Sequence, residues 1–331
     1  MKKKIALITG GYSGEAVISY KSASSIEKNI DDTKWDCYKI DINPQGWNYL
    51  SPDGNKFPID KNDFSVTVGG TKINFDAVLV SLHGTPGEDG KLQGYFDTLN
   101  IPYSTCDTAT SALTFNKRYT VAVASFAGMH VAKSVHLFKH IPLSTDQILK
   151  ELKLPVFVKP NNGGSSIGMS KVKLAGELQA ALDKAFKEDD QVLVEEFIKG
   201  RELTIGVFKS KGEVIALPIT EIIAKNEFFD FEAKYEGASD EITPAVVDES
   251  IAEKVRTEKV RTEARKAYAI FNCKGIVRID FIYDETSGNP YMLEINTVPG
   301  QSEASLVPQQ VVAMGWTLKQ FYSALIEECF Y

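Results

Sequence analysis

Short apolar runs alternate with helix-like stretches over the first hundred residues, and this order limits the folds open to the chain. Residues 5–9 (IALIT) predict a buried strand, and residues 17–30 predict a helix. Residues 36–42 (DCYKIDI) and 75–82 (FDAVLVSL) predict two further strands. Strands that alternate with helices favour a parallel α/β layer. Ligands bind such layers outside the carboxyl ends of the strands, so the loop after each strand is a candidate for function.

Later segments predict antiparallel hairpins. Residues 154–160 and 169–174 flank a loop rich in glycine and serine and predict one hairpin. Residues 191–198 and 202–208 predict another. Because the chain has 331 residues, it is long enough for two or three domains.

Composition and charge exclude several classes of protein. The net charge of −7 and the isoelectric point near 5.3 predict no nucleic-acid or membrane-surface partner, since such proteins carry a basic face. No apolar run approaches the roughly 18 residues of a membrane span, and the apolar stretch after the initial MKKK is too short for a signal peptide. The cysteines form no C-x-x-C pair, which fits a reduced cytoplasm. They are Cys37, Cys106, Cys273 and Cys329.

The segment IVRIDFIYDETSGNPYMLEINTVPG carries the most specific signal for chemistry. A hairpin centred on Ser287 places Asp280 opposite Glu294. The same register places Arg278 opposite Asn296, and the alternation of side chains puts all four on one polar face. The other face, expected in the core, carries Ile279, Phe281, Leu293 and Ile295.

This polar face predicts a Mg²⁺ site. Adjacent carboxylates repel each other unless a cation lies between them. Carboxylate and amide oxygens suit Mg²⁺, which usually also takes phosphate oxygens and water. The alternative is an ordinary solvated face on which Arg278 pairs with Asp280.

Two loops could bind anions. The stretch VKPNNGGSSIGMSKV places Lys159 before consecutive glycines and serines, whose backbone N–H groups can surround phosphate oxygens; the alternative is an ordinary flexible loop. The turn GGYSGEAVIS joins the first strand to a helix whose N-terminus could bind an anion. Its Glu15 could bind a substrate ammonium or simply favour the helix start. His83 follows the third strand and is a further candidate.

Together these stretches resemble the D-alanine–D-alanine ligase family of the ATP-grasp superfamily. The motifs occur in the family's order from end to end. They are GGYSGE, HGTPGEDGKLQGYFDTLNIPY, SALTFNK, VKPNNGGSSIGMSKV, VEEFIKGRELTIGV, FFDFEAKY, VRIDF and LEINTVPGQSEASLVP. The resemblance implies an α/β, three-domain ATP-grasp architecture, with an N-terminal parallel-sheet (Rossmann-like) domain and two α+β domains that clamp ATP. It also implies a cytoplasmic homodimer that uses ATP and D-alanine for peptidoglycan synthesis.

The resemblance also implies where the domains lie. Residues 1–105 would form the N-terminal domain and hold the first substrate. Residues 106–190 would form the central ATP-grasp subdomain, and residues 191–331 the C-terminal one with the Mg²⁺ site. Residues 221–245, which show no clear period, would form a lid over the site.

The family's nucleotide and metal ligands carry over onto matching positions. Asp280, Glu294 and Asn296 would hold two Mg²⁺, for which Mn²⁺ could substitute, against the β- and γ-phosphates of ATP. The residues implied in ATP binding are Lys117, Lys159, Gly164, Ser166, Glu195, Ile198, Glu202 and Lys234. Among them the lysines would contact phosphates, the glutamates and the backbone at Ile198 would hold adenine and ribose, and the glycine–serine loop would close over the phosphates.

The implied reaction has two steps. The carboxylate of one D-alanine attacks the γ-phosphate to give an acyl phosphate and ADP, and the amine of a second D-alanine then displaces phosphate. Arg278 and the Gly300 amide would stabilise the oxyanion of the tetrahedral intermediate. The residues implied in substrate binding are Glu15, His83, Arg278, Gly300, Ser305 and Leu306. Of these, Glu15 would bind the first ammonium, and Ser305 with the Leu306 amide would bind the second carboxylate.

The lid bears on both catalysis and substrate choice. By resemblance, Glu15, Ser165 and Tyr235 would form a hydrogen-bonded bridge that closes the lid and keeps water from the acyl phosphate. A histidine typically stands at the position of Tyr235 in family members that make D-alanyl-D-lactate, so the tyrosine favours D-alanine as the second substrate. D-Serine is harder to exclude, because it adds only a hydroxyl group.

Several positions depart from the family pattern, and one rival function comes from another class of enzyme. Ala16 and Val17 follow Glu15 where the family usually has a second acidic residue, and Gln301 replaces the usual methionine after Pro-Gly. The rival is an NAD-dependent oxidoreductase, suggested by IALITGG followed by Asp41 at the end of a second strand. Its glycine spacing does not fit G-x-G-x-x-G, and it leaves the polar hairpin face unexplained.

Overall fold

The computed structural model describes residues 2–141, 143–164, 167–224, 239–245 and 251–331. Within these ranges the first sheet has seven strands. They are β1 (Lys3–Gly10), β2 (Trp35–Asn43), β3 (Gly46–Leu50), β4 (Lys56–Asp60), β5 (Ser65–Val68), β6 (Thr71–Ile73) and β7 (Ala77–Val80). Their order across the sheet is β6-β5-β4-β3-β2-β1-β7.

The predicted parallel layer forms one part of this sheet. The strands identified from the sequence, β2, β1 and β7, pair in parallel. Strands β3 to β6 extend the sheet as an antiparallel meander from the edge of β2. The sequence pattern did not reveal this extension, because its strands are short and partly exposed, so their alternation is weak.

A second, smaller sheet follows. Its strands are β8 (Ser134–Phe138), β9 (Val156–Pro160), β10 (Ser170–Val172) and β11 (Gln191–Glu196), in the order β10-β9-β11-β8. Strands β9 and β10 pair in antiparallel fashion on either side of the glycine–serine loop, which confirms the first predicted hairpin. The loop therefore leaves the sheet directly after Lys159 of β9.

The third sheet contains the chemically informative hairpin. Its strands are β12 (Arg201–Ser210), β13 (Glu213–Ala216), β14 (Thr220–Ala224), β15 (Ser239–Ile242), β16 (Val277–Asp284) and β17 (Asn289–Asn296). Their order is β15-β14-β12-β16-β17, with β13 paired to β12. The segment 221–245, which has no clear period, begins and ends in strands that pair with each other.

The second predicted hairpin, over residues 191–208, is wrong. β11 pairs with β9 on one side and with β8 on the other, so it has no free edge for β12. β12 instead pairs with β14 and β16 in the third sheet. Residues 197–200 therefore carry the chain from one sheet to the next rather than around a hairpin turn.

Helices cover the sheets and join them. They are α1 (Ala16–Asn29), α2 (Lys91–Thr98), α3 (Thr108–Phe115), α4 (Lys117–Phe126), α5 (Thr145–Glu151), α6 (Leu178–Ala185), α7 (Ile251–Ile270), α8 (Leu306–Ala313) and α9 (Leu318–Glu328), with a 3₁₀ turn over Ala175–Glu177. Local side chains define several helix starts: Asp107 accepts from the Thr110 N–H before α3, and Asn116 from the Tyr119 N–H before α4. Across the described residues, none of the helices is both long and apolar enough to cross a membrane.

One apolar core joins the first sheet to the third. It includes Ile5 and Leu7 of β1, Phe208 of β12, and Phe321 and Tyr322 of α9, all fully buried. Burial of large aromatic and aliphatic side chains is the main stabilising contribution to such an interface. This core holds β1 against β12 and α9. In the segment after β17, the Gln301 N–H donates to Ser22 of α1, so the candidate site lies where these segments meet.

Candidate active site

The hairpin of β16 and β17 has the polar face that the sequence predicted. Asp280 lies opposite Glu294, and Arg278 lies opposite Asn296. The pairing of backbone positions therefore places two carboxylates, an amide and a guanidinium on the same side of two adjacent strands.

Beyond this group the register differs from the prediction. The turn is not centred on Ser287, and a β-bulge after Asp280 shifts the pairing by one residue. As a result Phe281 pairs with Met292 rather than with Leu293. Met292 is 3% exposed and lies in the core, whereas Leu293, expected there, is half-buried. The turn is one residue shorter than predicted, and the bulge adds that residue back before the polar face. The predicted pairs therefore still hold at Asp280 and Arg278.

Arg278 and Asp280 form a tight, half-buried pair. Arg278 Nε donates to Asp280 Oδ1 over 2.9 Å, and Nη2 donates to Oδ2 over 2.8 Å. The Thr204 hydroxyl donates to the same carboxylate over 2.5 Å. Burial lowers the pKa of Arg278, but the carboxylates of Asp280, Glu294 and Glu88 outweigh burial and raise it. The alternative of an ordinary solvated face also predicts the pair of Arg278 and Asp280. However, the two side chains are only 20% and 13% exposed, so the pair does not lie on an open surface.

The donor set of this face fits a magnesium ion. Asn296 Nδ2 lies 3.5 Å from Asp280 Oδ2 and 3.4 Å from Glu294 Oε1, so the amide reaches both carboxylates. Rotation of the amide group would present its oxygen to the same position. No three His, Cys, Asp or Glu side chains converge on one point in the described ranges, so a divalent ion on this face needs the amide as a third ligand.

Lys159 brings the second sheet to this face. Its Nζ lies 2.5 Å from Glu195 Oε2, and the two side chains are 15% and 9% exposed. Burial lowers the pKa of Lys159, but the charges of Glu195, Glu294 and Glu202 outweigh burial and raise it. Lys159 is therefore a buried ammonium whose charged form is favoured by Glu195 of the second sheet and by Glu294 and Glu202 of the third.

The glycine–serine loop is tied to the start of α4. Lys117 Nζ donates to the Gly163 carbonyl over 2.7 Å. The Lys117 N–H donates to the Asn161 carbonyl over 3.1 Å, and the Arg118 N–H donates to Asn161 Oδ1 over 2.8 Å. Lys117 therefore lies beside the loop that the sequence predicts to cover phosphates.

Glu15 lies where the first sheet meets this loop. A Cβ at Gly164 would lie 2.8 Å from Glu15 Oε1, and a Cβ at Gly84 would lie 2.5 Å from Oε2. Gly84 also has φ of +66°, so a glycine is required there for two reasons. The Glu15 carboxylate therefore lies between the loop after β7 and the glycine–serine loop. Val17, in the first turn of α1, is 58% exposed.

His83 is a buried, neutral imidazole. Its Nε2 lies 3.1 Å from Ser22 Oγ, and its backbone N–H donates to Ser19 Oγ over 2.9 Å. Burial, together with the charge of Arg278, lowers the pKa of His83 to about 4. A hydrogen bond to the Val298 backbone partly opposes this shift. The side chain thus supplies hydrogen bonds rather than charge at neutral pH.

Glu88 is a site residue that the sequence reasoning missed. It lies in the quoted motif HGTPGEDG, but no role was assigned to it. The Gly84 N–H donates to Glu88 Oε2 over 2.7 Å. Burial, with a smaller contribution from the charge of Glu15, raises the pKa of Glu88 to about 8. Hydrogen bonds from the Gly84 and Val298 backbone and the charge of Arg278 only partly offset this rise. The Glu88 carboxyl group therefore lies close enough to both Glu15 and Arg278 for their charges to affect it.

The chain after β17 brings Gly300 to the start of α8. A Cβ at Gly300 would lie 2.7 Å from Ser305 Oγ, so the Gly300 backbone and the Ser305 hydroxyl lie close together. Ser305 precedes α8 with an extended backbone and shares a hydrogen bond of 2.8 Å with Ser302. The helix begins at Leu306, and its N-terminal N–H groups favour an anion. Gly300, Ser305 and Leu306, which the sequence predicts in substrate binding, therefore lie next to one another.

The remaining predicted residues divide into two groups. Glu202 lies on β12 next to β16, and Ile198 lies half-buried between β11 and β12. The other predicted residues lie outside the described part of the chain; they are Ser165, Ser166, Lys234 and Tyr235.

Comparison with protein families covers almost the entire chain. Residues 4–106 match the family described as D-ala D-ala ligase N-terminus, and residues 115–327 match D-ala D-ala ligase C-terminus. A D-alanine–D-alanine ligase of Flavobacterium johnsoniae is 46% identical over 98% of this chain and 98% of its own. One of Phocaeicola vulgatus is 44% identical over the full length of both chains.

Solved structures show the same fold. The VanG D-Ala:D-Ser ligase of Enterococcus faecalis superposes with a TM-score of 0.87 at 32% identity, over 99% of this chain and 100% of that chain. The D-alanine–D-alanine ligase of Bacillus anthracis complexed with ATP superposes with a TM-score of 0.77 at 27% identity, over 99% and 97% of the two chains.

Proposed function

The chain belongs to the D-alanine–D-alanine ligase family, and we propose that the site between its three sheets carries that family's reaction. It is an ATP-dependent ligase that joins two D-alanine molecules into D-alanyl-D-alanine, a precursor of peptidoglycan. The observation that carries the assignment of residues is the β16–β17 face. There two carboxylates, an amide and a guanidinium meet the buried ammonium of Lys159.

ATP would lie between the second and third sheets. Lys117 and Lys159 would neutralise phosphate oxygens, and Glu195 with Glu202 would hold the adenine and ribose. Asp280, Glu294 and Asn296 would hold two Mg²⁺, which offset charge on the transferred phosphoryl group. Glu195 keeps the Lys159 ammonium in place, because its carboxylate binds the ammonium from β11, the strand next to β9.

The first D-alanine would lie at the carboxyl end of β1. The Glu15 carboxylate would bind its ammonium group, and Gly84 leaves room for that carboxylate. His83, held neutral by burial, would contribute a hydrogen bond without competing for the same negative charge. The substrate carboxylate would then face Arg278 and the γ-phosphate.

The second D-alanine would bind at the start of α8. Ser305 and the Leu306 N–H would hold its carboxylate, since a helix N-terminus favours an anion. Its amine would attack the acyl phosphate, and Arg278 with the Gly300 N–H would stabilise the oxyanion.

Closure over the acyl phosphate completes the proposal. Glu15 lies next to Gly164, the residue before Ser165, and this position supports a bridge from Glu15 through Ser165 to Tyr235. Ser166 and Lys234 would act on the phosphates, with the segment 221–245 as lid. We further propose the domain boundaries 1–105, 106–190 and 191–331, a homodimer, and a cytoplasmic location.

A coupled assay of ADP release tests the function. We expect release that requires both Mg²⁺ and D-alanine, with little response to L-alanine, and dipeptide formed in proportion to ADP. Equal ADP release without any amino acid would contradict the ligase assignment and leave only an ATPase.

A second candidate is D-serine as the second substrate. It is favoured by the likeness to a D-Ala:D-Ser ligase at a TM-score of 0.87. The same assay with D-alanine plus D-serine or D-lactate, followed by mass analysis of the product, decides between the acceptors. A mixed product richer in D-serine at equal concentrations would favour this candidate.

A further inference from the structure

We propose that Gln301 is a positioning residue that orients the Pro299–Gly300 peptide and thereby aims the Gly300 N–H at the oxyanion. The inference rests on the proposed role of Gly300 in the second step. Gln301 stands where the family usually has methionine, and it is 4% exposed. A polar side chain at that depth must be hydrogen-bonded, and its partners show what it does.

The key contact is to the carbonyl of the neighbouring peptide. Gln301 Nε2 donates to the Pro299 carbonyl over 3.1 Å. The Pro299 carbonyl and the Gly300 N–H belong to one planar trans peptide, so they point in opposite directions. A hydrogen bond that fixes the carbonyl therefore also fixes the direction of the N–H on the other side of the plane.

The Gln301 side chain is itself held in one orientation. The Tyr322 hydroxyl lies 3.4 Å from Gln301 Oε1, and Tyr322 is fully buried. A carbonyl oxygen only accepts, so the nitrogen of the Gln301 amide must face Pro299 and its oxygen must face Tyr322. The phenol then donates to that oxygen, and the amide cannot turn over without losing the bond to the Pro299 carbonyl and placing two acceptor oxygens against each other.

The flanking backbone is pinned as well. The Gln301 N–H donates to Ser22 Oγ over 3.0 Å, and Ser22 Oγ lies 3.1 Å from His83 Nε2. Within the described residues, the Gly300 N–H donates to no protein acceptor. The peptide is therefore clamped through its carbonyl while its N–H stays available. A donor whose partner carbonyl is hydrogen-bonded is also polarised towards stronger donation.

Single-turnover kinetics of the Gln301→Met variant test this role. Loss of an oxyanion donor costs about 10²–10³ in kcat. In this variant the Gly300 N–H remains, but its direction towards the oxyanion is no longer fixed. We therefore expect the dipeptide-forming step to be about tenfold slower. The first step, measured as the burst of ADP, should stay within about twofold, because the carboxylate attack on ATP develops no oxyanion at Gly300. Hydroxylamine should therefore trap more acyl phosphate than in the unchanged enzyme.

Two further variants separate positioning from a general structural role. Gln179→Met removes an exposed side-chain bond on α6, from Nε2 to Asp183 Oδ1 over 2.9 Å, and should leave both steps unchanged. Tyr322→Phe keeps the ring and removes the hydroxyl that donates to Gln301, so it should show the same split at about threefold. An equal loss in both steps, or no change in the dipeptide step in either Gln301→Met or Tyr322→Phe, would overturn the proposal. Failure of the unchanged enzyme to form dipeptide would instead refute the proposed function.

Discussion

Glu88 should make the stability of the protein depend on pH in a way that ordinary carboxylates do not. Burial, together with the nearby Glu15, raises its pKa from 4.5 to about 8. The folded state therefore keeps a proton on Glu88 that the unfolded state releases between pH 4.5 and 8. Because the folded state binds more protons over that window, the free energy of unfolding falls as pH rises through it.

The size of the effect follows from the shift. One pH unit corresponds to about 1.4 kcal/mol, so a shift of this size is worth about 5 kcal/mol across the whole window. His83 works in the opposite direction, since burial lowers its pKa from 6.5 to about 4. Below pH 6.5 the unfolded state protonates His83 while the folded state does not, so stability falls as pH falls towards 4.

The two contributions oppose each other up to pH 6.5, and Glu88 acts alone above it. Between pH 6.5 and 8 the expected loss is about 2 kcal/mol. Urea unfolding of the protein without ATP or D-alanine, at half-unit steps from pH 5.5 to 9, measures it. The matched control is Glu88→Gln, which keeps an acceptor for the Gly84 N–H but does not titrate.

The difference between the two curves isolates the carboxyl group. We expect Glu88→Gln to gain about 2 kcal/mol relative to the unchanged protein as pH rises from 6.5 to 8, with the difference levelling off above pH 8.5. Parallel curves over this range would show that Glu88 ionises freely, and would refute both its raised pKa and its place next to Glu15.

Three further changes probe the site and the core. Glu294→Ala should abolish dipeptide formation without loss of stability. The control is Glu285→Ala, which should keep activity because the Glu285 side chain is 61% exposed. An active Glu294→Ala enzyme would contradict the metal assignment. Lys159→Met should raise the KM for ATP. It should also lower the free energy of unfolding in urea by about 3–5 kcal/mol, because it leaves Glu195 buried and unpaired. A loss of less than about 1 kcal/mol would show that the pair is solvated. Phe321→Ala should cost about 3–5 kcal/mol, because the ring is fully buried between the first and third sheets, and a smaller loss would mean that the two sheets do not share a core.

Much of the hairpin chemistry is local and could be predicted from the chain. Alternation along β16 and β17 puts Asp280 and Glu294 on one face whatever surrounds them, because side chains in a strand alternate with a period of two. Local pattern did not predict the bulge after Asp280. The bulge places Met292 in the core, and the residues that form this core come from segments distant in sequence.

The order of strands and helices by itself determined the α/β character of the first sheet and the motifs that identify the family. Only the tertiary structure decided that Glu88 lies within range of the charge of Arg278, that β11 and β12 belong to different sheets, and that Gln301 lies against the Pro299 carbonyl. The reason is that periodicity and motif spacing report which way a side chain points from its own strand or helix. Burial, pKa and hydrogen-bond partners depend on which other elements pack against it, and those elements lie tens to hundreds of residues away.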